Sequence, residues 1–358
     1  MTATETTRVD AITVSIIVPA RNEEASLGAC LESLRSQTLV SQTGAAFEII
    51  VVDDHSTDGT REIAASFAAK ENGIVRVIEA GPLPDGWTGK NNAVVTGARA
   101  ARGEWLLFTD ADTVHLPGSL ARALKEAQDN KADLLSYSPE QIAVTFWEMA
   151  VLPVVFAELA RQYPPSKVSD PNSSAAAANG QYILIKREAY EAIGGHAAVA
   201  GDILEDVALA GAVKKSGRRI RFRYAADAVR TRMYRNWPQL RDGWTKNLAL
   251  LFPNPGRLAA QTFLWWAFPF VNLLLPFFIP AIVHHAWWFV PGALVFARNN
   301  GRMRRANFDV AMEFLGALFG MPMFAYLLLR SKRAHRKGKV GWKGRTYSDG
   351  KVLLTTGH

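Results

Sequence analysis

Short apolar runs alternate with longer helical patterns over the first 110 residues. The runs predict four strands, at 14–18, 47–52, 74–78 and 105–108. We expect Pro19 to end the first strand, and we expect a helix to open at Asn22-Glu23-Glu24. That helix presents an apolar face made of Leu27, Cys30, Leu31 and Leu34. Strands separated by helices of this length predict the α/β class, with a mostly parallel sheet flanked by helices.

The pattern is less regular between residues 111 and 210. Residues 146–159 form an apolar helical segment that fits either a core helix or a helix lying in a membrane interface. The Pro-, Ser- and Ala-rich stretch 163–178 predicts a loop, and 179–186 predicts a strand. A further helix is predicted to begin near Leu204.

The C-terminal part is densely apolar and aromatic. Segments 259–283 and 310–329 are long enough to span a bilayer, whereas 287–297 is too short by itself. Kinks are predicted at Pro269, Pro276 and Pro280. Four arginines lie in an expected loop at 298–305, and eight basic residues with no acidic one lie in 330–345. Three crossings would place one basic stretch outside, so we expect two crossings or one re-entrant or interfacial segment.

Charge and composition indicate which class of partner, nucleic acid or membrane lipid, the basic patches favour. The net charge is +8, and residues 214–235 carry nine basic residues against the single acid Asp227. No nucleic-acid-binding motif accompanies these patches, so we expect anionic lipid beside a membrane rather than nucleic acid. The stretch Met1–Asp10 is polar and lacks a signal-peptide core, which predicts a catalytic part in the cytoplasm attached to the cell (inner) membrane. The single cysteine, Cys30, excludes a disulfide framework.

Carboxylates follow the predicted strands at their C-terminal ends. Asp110 and Asp112 come directly after the strand 105–108, and along a strand side chains two apart point the same way. Two such oxygens suit Mg²⁺ or Mn²⁺ with open positions for substrate phosphates, although the same tripeptide also arises by chance or as a helix cap. The segments 19–23 and 53–54 also lie at strand ends, where ligands bind in open α/β sheets.

Two further charged positions are open to more than one interpretation. Lys90 stands at a predicted helix start, which is unfavourable to the helix dipole unless an anion lies nearby. Glu205 and Asp206 begin another helix, where they either favour the dipole or supply a general base. The sequence pattern fits each of these alternatives.

Taken together, the motifs resemble family 2 glycosyltransferases, which have the GT-A fold. The resemblance spans roughly residues 13–250 and rests on four ordered motifs: 14–24, 51–60, Asp110-Ala111-Asp112 and Glu205-Asp206. His55 stands where the family more often has Gly. The stretch 82–90, Pro-Leu-Pro-Asp-Gly-Trp-Thr-Gly-Lys, resembles a signature of bacterial hopanoid-associated and carotenoid glycosyltransferases. The Gln-x-x-Arg-Trp motif of processive synthases is absent near Gln239, which argues against polymerisation.

The resemblance implies a role for each matching residue. Asp206, assisted by Glu205, would be the catalytic base, and Asp110 and Asp112 would hold Mg²⁺ or Mn²⁺. The expected nucleotide-sugar contacts, to a UDP- or GDP-sugar, are Pro19, Arg21, Glu23, Asp54, Lys90 and Asp110. The expected phosphate or acceptor contacts are Arg232, Arg235 and Trp244.

These expectations combine into one function and two alternatives. The sequence predicts a membrane-bound inverting glycosyltransferase that acts on the hydroxyl of a lipid-like acceptor such as a carotenoid or hopanoid. A polyprenyl-phosphate glycosyltransferase or polysaccharide synthase is one alternative, and a non-catalytic membrane scaffold is another. The expected organisation is a polar N-terminal tail, a GT-A catalytic domain, hydrophobic membrane-associated helices and a basic cytoplasmic tail, at residues 1–12, 13–250, 259–329 and 330–358.

Overall fold

The computed structural model describes most of the chain and divides it into two compact units. The described residues are 12–38, 46–70, 73–278, 286–304, 308–338, 340–342, 345–348 and 351–353. The first unit runs to Glu140 and resumes over Pro165–Thr231. The second unit consists of Gln141–Pro164 and the chain from Arg232 onward. The sequence prediction placed residues 141–164 and 232–250 in the catalytic domain. In the structure they belong to the same compact unit as the C-terminal helices.

Seven strands form the sheet of the first unit. The strands up to residue 231 are β1 Ile12–Ala20, β2 Ala46–Asp53, β3 Val75–Glu79, β4 Trp105–Phe108, β5 Thr113–His115, β6 Leu134–Ser138, β7 Glu140–Gln141, β8 Ile183–Lys186, β9 Ile220–Tyr224 and β10 Val229–Thr231. The sheet order is β3-β2-β1-β4-β8-β6-β9, and β5 pairs with β10 in a smaller antiparallel sheet. Within the seven-stranded sheet, β8 pairs antiparallel with β4 and β6, and the other neighbouring strands are parallel. The predicted mostly parallel sheet is therefore confirmed.

Helices flank this sheet and continue into the second unit. They are α1 Leu27–Arg35, α2 Thr60–Lys70, α3 Gly89–Ala100, α4 Ser119–Asp129, α5 Phe146–Gln162, α6 Pro165–Ser169, α7 Arg187–Ala192, α8 Glu205–Lys215, α9 Trp237–Leu251, α10 Pro255–Phe278, α11 Val290–Arg304, α12 Val310–Leu315 and α13 Met321–Arg336. The predicted apolar face of α1 is confirmed, because its four residues are fully buried. The short helix α6 interrupts the stretch 163–178 that was predicted to be a loop.

Two predicted boundaries near the start of the chain were wrong. Pro19 lies inside β1, where it pairs with Val52 of β2. The pairing of β1 with β4 ends at Ile17. Pro19 lies beyond it, so its missing N–H costs no hydrogen bond to β4. Helix α1 begins at Leu27 rather than at Asn22, because Asn22 has a left-handed φ of 52° and binds the following loop.

A helical bundle forms the second unit. Helix α5 begins with a capping box between Thr145 and Glu148, and its central residues, Val151 and Val155 among them, are buried. The structure therefore makes the middle of α5 a core helix of this unit. Helix α11 extends to Arg304, so the predicted loop at 298–305 was wrong.

Two helices of the second unit are long and apolar enough to cross a membrane. They are Pro255–Leu275, with a mean hydropathy of 1.4, and Ala311–Arg336, with a mean hydropathy of 1.6. The second of these continues from α12 into α13 through a π-helical turn, Gly316–Gly320, where Gly320 packs directly against the Ala150 carbonyl. Helix α10 runs through Pro269 and Pro276 without ending, whereas Pro280 lies outside the described residues. Strands β11 Val340–Trp342, β12 Arg345–Ser348 and β13 Lys351–Leu353 complete this unit.

Candidate active site

The polar residues singled out in the first unit gather at one edge of its sheet. Because β1, β2 and β4 are parallel neighbours, their C-terminal ends meet there. A narrow cleft lies at this edge. Its lining includes Pro19 of β1, Lys90 of α3, Phe108 and Asp110 at the end of β4, Gly180 before β8, His196 between α7 and α8, and Glu205 at the start of α8. Four of the predicted site residues, Pro19, Lys90, Asp110 and Glu205, thus share one cleft.

Lys90 joins two of the acidic motifs. Its Nζ lies 2.7 Å from Oδ1 of Asp110 and 2.8 Å from Oε1 of Glu205. It stands in the first turn of α3, where Thr88 caps the helix by accepting the N–H of Asn91. Although burial opposes it, the two carboxylates raise the pKa of Lys90 well above its ordinary value, so the ammonium stays charged. The charge near the dipole of α3 is therefore offset by neighbouring anions.

Asp206 is held beside this ion-paired cluster by the backbone. Its Oδ2 accepts a 2.9 Å hydrogen bond from the N–H of Gly180, and its Oδ1 accepts one of 2.8 Å from the N–H of Val207. Burial and the Glu205 carboxylate raise the pKa of Asp206 to about 6, while Lys90 and these hydrogen bonds oppose the shift. At neutral pH the group is mostly ionised and remains basic enough to accept a proton.

His196 closes the cleft as a neutral ring. It is buried, its Nδ1 lies 3.1 Å from the hydroxyl of Tyr190, and its ring meets Phe108 edge-on at 4.7 Å. Burial lowers the pKa of His196 to about 4, so the ring is uncharged at neutral pH. Sequence reasoning treated Gly194-Gly195-His196 only as a flexible stretch. The Gly-Gly pair itself was the available signal, since both glycines adopt a positive φ in a sharply bent segment.

Gly180 is the second residue that sequence reasoning missed. A Cβ at this position would lie 3.0 Å from Nζ of Lys90, 3.4 Å from Oε1 of Glu205 and 3.6 Å from Oδ2 of Asp206. The cluster therefore closes around a position without a side chain. Nothing in the local sequence marks it, because its neighbours come from α3 and α8.

The two segments predicted to contact the nucleotide sugar, 19–23 and 53–54, form an interlocked pair of loops. Nη1 of Arg21 donates a 2.7 Å hydrogen bond to the carbonyl of Asp54, whose side chain is buried. The N–H of Glu23 donates to Oγ1 of Thr60, and Oε2 of Glu23 accepts from Ser26. These contacts fix the loops after β1 and β2 at the sheet edge that carries the cleft.

Asp110 and Asp112 do not lie on a strand. Strand β4 ends at Phe108, and the chain then turns, with the N–H of Thr113 donating to the carbonyl of Asp110 at 3.3 Å. The two carboxylates therefore do not project from one strand as predicted, although both follow β4 directly. Thr231 holds the turn by donating to the carbonyl of Asp112 at 3.2 Å.

The predicted phosphate and acceptor residues all belong to the second unit. Arg232 forms an ion pair with the buried carboxylate of Glu148 at 3.1 Å. The N–H of Arg235 donates to Gln239 near the start of α9. Trp244 is buried among Phe156 and Tyr234. Their roles toward phosphate or acceptor stay predictions.

Comparison with known proteins agrees with this geometry. The glycosyl transferase family 2 model matches residues 15–194. The 4,4'-diaponeurosporenoate glycosyltransferase of Staphylococcus aureus strain USA300 is 28% identical over 354 residues, covering 94% of this chain and 88% of the relative. A mannosyltransferase from Pyrobaculum calidifontis, solved with GDP-Man and Mn2+, superposes with a TM-score of 0.53 at 18% identity, covering 90% of this chain and 86% of that one.

The family model covers half of the chain, and it includes the loops after β1 and β2, Lys90 and the Asp110–Asp112 turn. The similarity to the mannosyltransferase agrees with the GT-A fold of the sheet. The predicted fold class and the resemblance are confirmed, and the protein is an enzyme of the glycosyltransferase class. The chain belongs to glycosyl transferase family 2.

Proposed function

We propose that this protein is a membrane-bound inverting glycosyltransferase that moves a sugar from a nucleoside-diphosphate sugar to the hydroxyl of a lipid-like acceptor. The observation that carries the proposal is Asp206, a carboxylate of raised pKa fixed by a backbone N–H beside the Lys90 cluster. The relative named for diaponeurosporenoate, an apolar carboxylate, supports a lipid-like acceptor, and the hydroxyl is the part of the proposal that rests on Asp206. Two candidate spans support attachment to the cell membrane. The basic residues of 330–345, next to the second span, support a catalytic unit in the cytoplasm.

The proposed step is a single displacement. The acceptor oxygen attacks the anomeric carbon, its proton passes to Asp206, and the nucleoside diphosphate leaves from the opposite face with the bonding electron pair. This displacement inverts the anomeric carbon. Lys90 neutralises Asp110 and Glu205 beside the base, and Glu205 helps to keep Asp206 basic through its negative charge. Neutral His196 adds no charge that would compete with this arrangement.

The residues present fit a divalent cation of the Mg²⁺ or Mn²⁺ type. Oδ1 of Asp110 pairs with Nζ of Lys90 at 2.7 Å, and the Asp110 side chain is 29% exposed, so a cation that arrives with the nucleotide can reach this carboxylate. Within the described ranges no group of three or more His, Cys, Asp or Glu side chains is arranged for a metal. A site made of Asp110 and Asp112 would match a cation that is held by one or two carboxylates and whose coordination is completed by substrate phosphates. Asp110 and Asp112 would hold the cation, which would neutralise charge on the leaving diphosphate.

The metal assignment predicts a binding result that needs no turnover. Mn²⁺ is expected to strengthen binding of UDP or GDP to the wild-type protein, measured by calorimetry. In Asp112→Asn this strengthening is expected to fall about tenfold, since one of two carboxylate ligands is lost. Asp129→Asn, which changes an exposed carboxylate on α4, is the control. Equal Mn²⁺ dependence in both variants would remove Asp112 from the metal site.

The raised pKa of Asp206 predicts the shape of the pH profile. Because the base acts in its ionised form, kcat/KM is expected to be constant above pH 7 and to fall as pH drops through about 6. Below that point the fall should approach about tenfold per pH unit, as for loss of one proton acceptor. Of the neighbouring groups, Lys90 stays charged and His196 stays neutral across this window. A flat profile between pH 5 and 8 would contradict the base role.

The experiment that tests the whole proposal uses detergent-solubilised full-length protein with Mn²⁺ or Mg²⁺. Release of free nucleoside diphosphate is followed across a panel of UDP- and GDP-sugars, with and without extracted bacterial lipids. We expect release from one donor, increased by lipid. Activity confined to a soluble acceptor would overturn the lipid assignment, and no binding of any donor would favour a non-catalytic scaffold.

A further inference from the structure

A cavity of about 310 Å³ lies within the second unit, formed by residues of α5, α10, α11 and α13. This volume falls at the lower end of the range for small-molecule sites. One part of its wall is apolar, with Val154, Leu258 and Met321, and another part carries charged and amide side chains. Both a polar and an apolar surface thus face the same space.

The charged part of the wall is cationic on balance. Among the described residues it contains the guanidinium groups of Arg161 and Arg298 and the carboxylate of Glu158. Nε of Arg161 lies 2.8 Å from Oε2 of Glu158, so the charges of these two side chains neutralise each other. The guanidinium of Arg298 instead lies over the ring of Trp265, 4.0 Å from its centroid. Within the described part of the chain, no carboxylate lies at ion-pair distance from Arg298.

A second polar group faces the same cavity. Asn299, next to Arg298, is 4% exposed, and its Nδ2 donates to the carbonyl of Trp265 at 3.3 Å. Its Oδ1 is buried and accepts no hydrogen bond in the described structure. A buried acceptor of this kind is satisfied when a hydroxyl donor binds beside it. The cavity therefore offers a cation for an anion and an acceptor for a hydroxyl.

We propose that this cavity binds the headgroup of an anionic phospholipid, with its phosphodiester on Arg298 and a headgroup hydroxyl on Asn299. A guanidinium matches phosphate oxygens in a two-pronged geometry, and among the described lining residues Arg298 supplies one that pairs with no carboxylate. The large apolar side chains that α10 exposes, Phe263, Leu264, Val271 and Leu274 among them, give the acyl chains an apolar surface on the same helix. The inference rests on the proposed membrane attachment, and it concerns a site separate from the sugar-transfer cleft.

The test compares Arg298→Gln with Arg257→Gln, which removes an exposed charge from the same unit at a position that does not line the cavity. Full-length protein in neutral detergent is titrated with short-chain phosphatidylglycerol, and the unfolding temperature is followed. We expect phosphatidylglycerol to stabilise the wild type and Arg257→Gln alike, with Arg298→Gln needing about tenfold more lipid, as for loss of one charge-assisted contact. Phosphatidylcholine, glycerol phosphate and inorganic phosphate are expected to have little effect.

Each of the other outcomes would overturn one part of the proposal: the cavity as the site, the lipid as the ligand, or the membrane attachment. Equal responses of the two variants would mean that lipid acts through general surface charge and not through the cavity. An equal effect of glycerol phosphate or inorganic phosphate would mean an anion site without a lipid. Flotation with neutral vesicles separates this inference from the proposed function. Protein that does not float has lost its proposed membrane attachment, whereas protein that floats without distinguishing phosphatidylglycerol overturns the cavity proposal alone.

Discussion

Asp206→Asn is expected to lower kcat about 10³-fold, the middle of the range that a positioned general base contributes. The amide keeps the size of the side chain, and its oxygen can still accept the hydrogen bond from the Gly180 N–H. It cannot take a proton from an acceptor hydroxyl. Binding of the nucleotide sugar should therefore be retained, as measured by calorimetry beside single-turnover transfer.

The matched control is Asp202→Asn, an exposed carboxylate four residues earlier in the same segment. It should transfer sugar at the wild-type rate. If Asp206→Asn transfers at a near-normal rate while Asp202→Asn behaves as wild type, the acceptor needs no base, as expected of polyprenyl phosphate. Loss of donor binding together with turnover in Asp206→Asn would instead assign Asp206 to binding rather than to proton transfer.

Gly180→Ala is expected to lower kcat/KM about tenfold, because Lys90 must shift by a few tenths of an ångström, and a displacement of about 1 Å in an active site costs about 100-fold. The new methyl group would lie 3.0 Å from Nζ of Lys90, closer than a carbon and a nitrogen normally approach. Nζ is the end of a long, flexible side chain, so a shift of a few tenths of an ångström relieves the contact without unfolding the site. Its movement would disturb the contacts with Asp110 and Glu205 that hold the cluster together.

The control for this change is Gly211→Ala in α8, where an added Cβ meets nothing within 4 Å. That variant should keep its activity and gain stability, by up to about 1 kcal/mol, from helix propensity. Gly180→Ala should unfold within a few degrees of the wild type while losing activity. A loss of activity that tracks a large fall in unfolding temperature would mean that Gly180 serves folding rather than the geometry of the site.

Much of the first unit was predictable because its signals are local. The strand at 105–108 was placed to the residue, and the buried face of α1 followed from apolar spacing alone. The ends of elements were harder to predict. Pro19 continues β1 because β4 has already stopped pairing there, a fact that belongs to another part of the chain. The start of α1 shifted for the same reason, since the loop from Asn22 is bound by Thr57.

The sequence by itself determined the α/β class, the acidic motifs and the two long apolar segments, because periodicity, strand-end polarity and segment length are properties of neighbouring residues. Only the tertiary structure decided that Lys90 bridges Asp110 and Glu205, and that Gly180 positions Asp206. Those contacts join residues up to 115 positions apart, from Lys90 to Glu205. The pKa of Asp206 likewise depends on burial and on neighbours that the fold supplies, which no local pattern encodes.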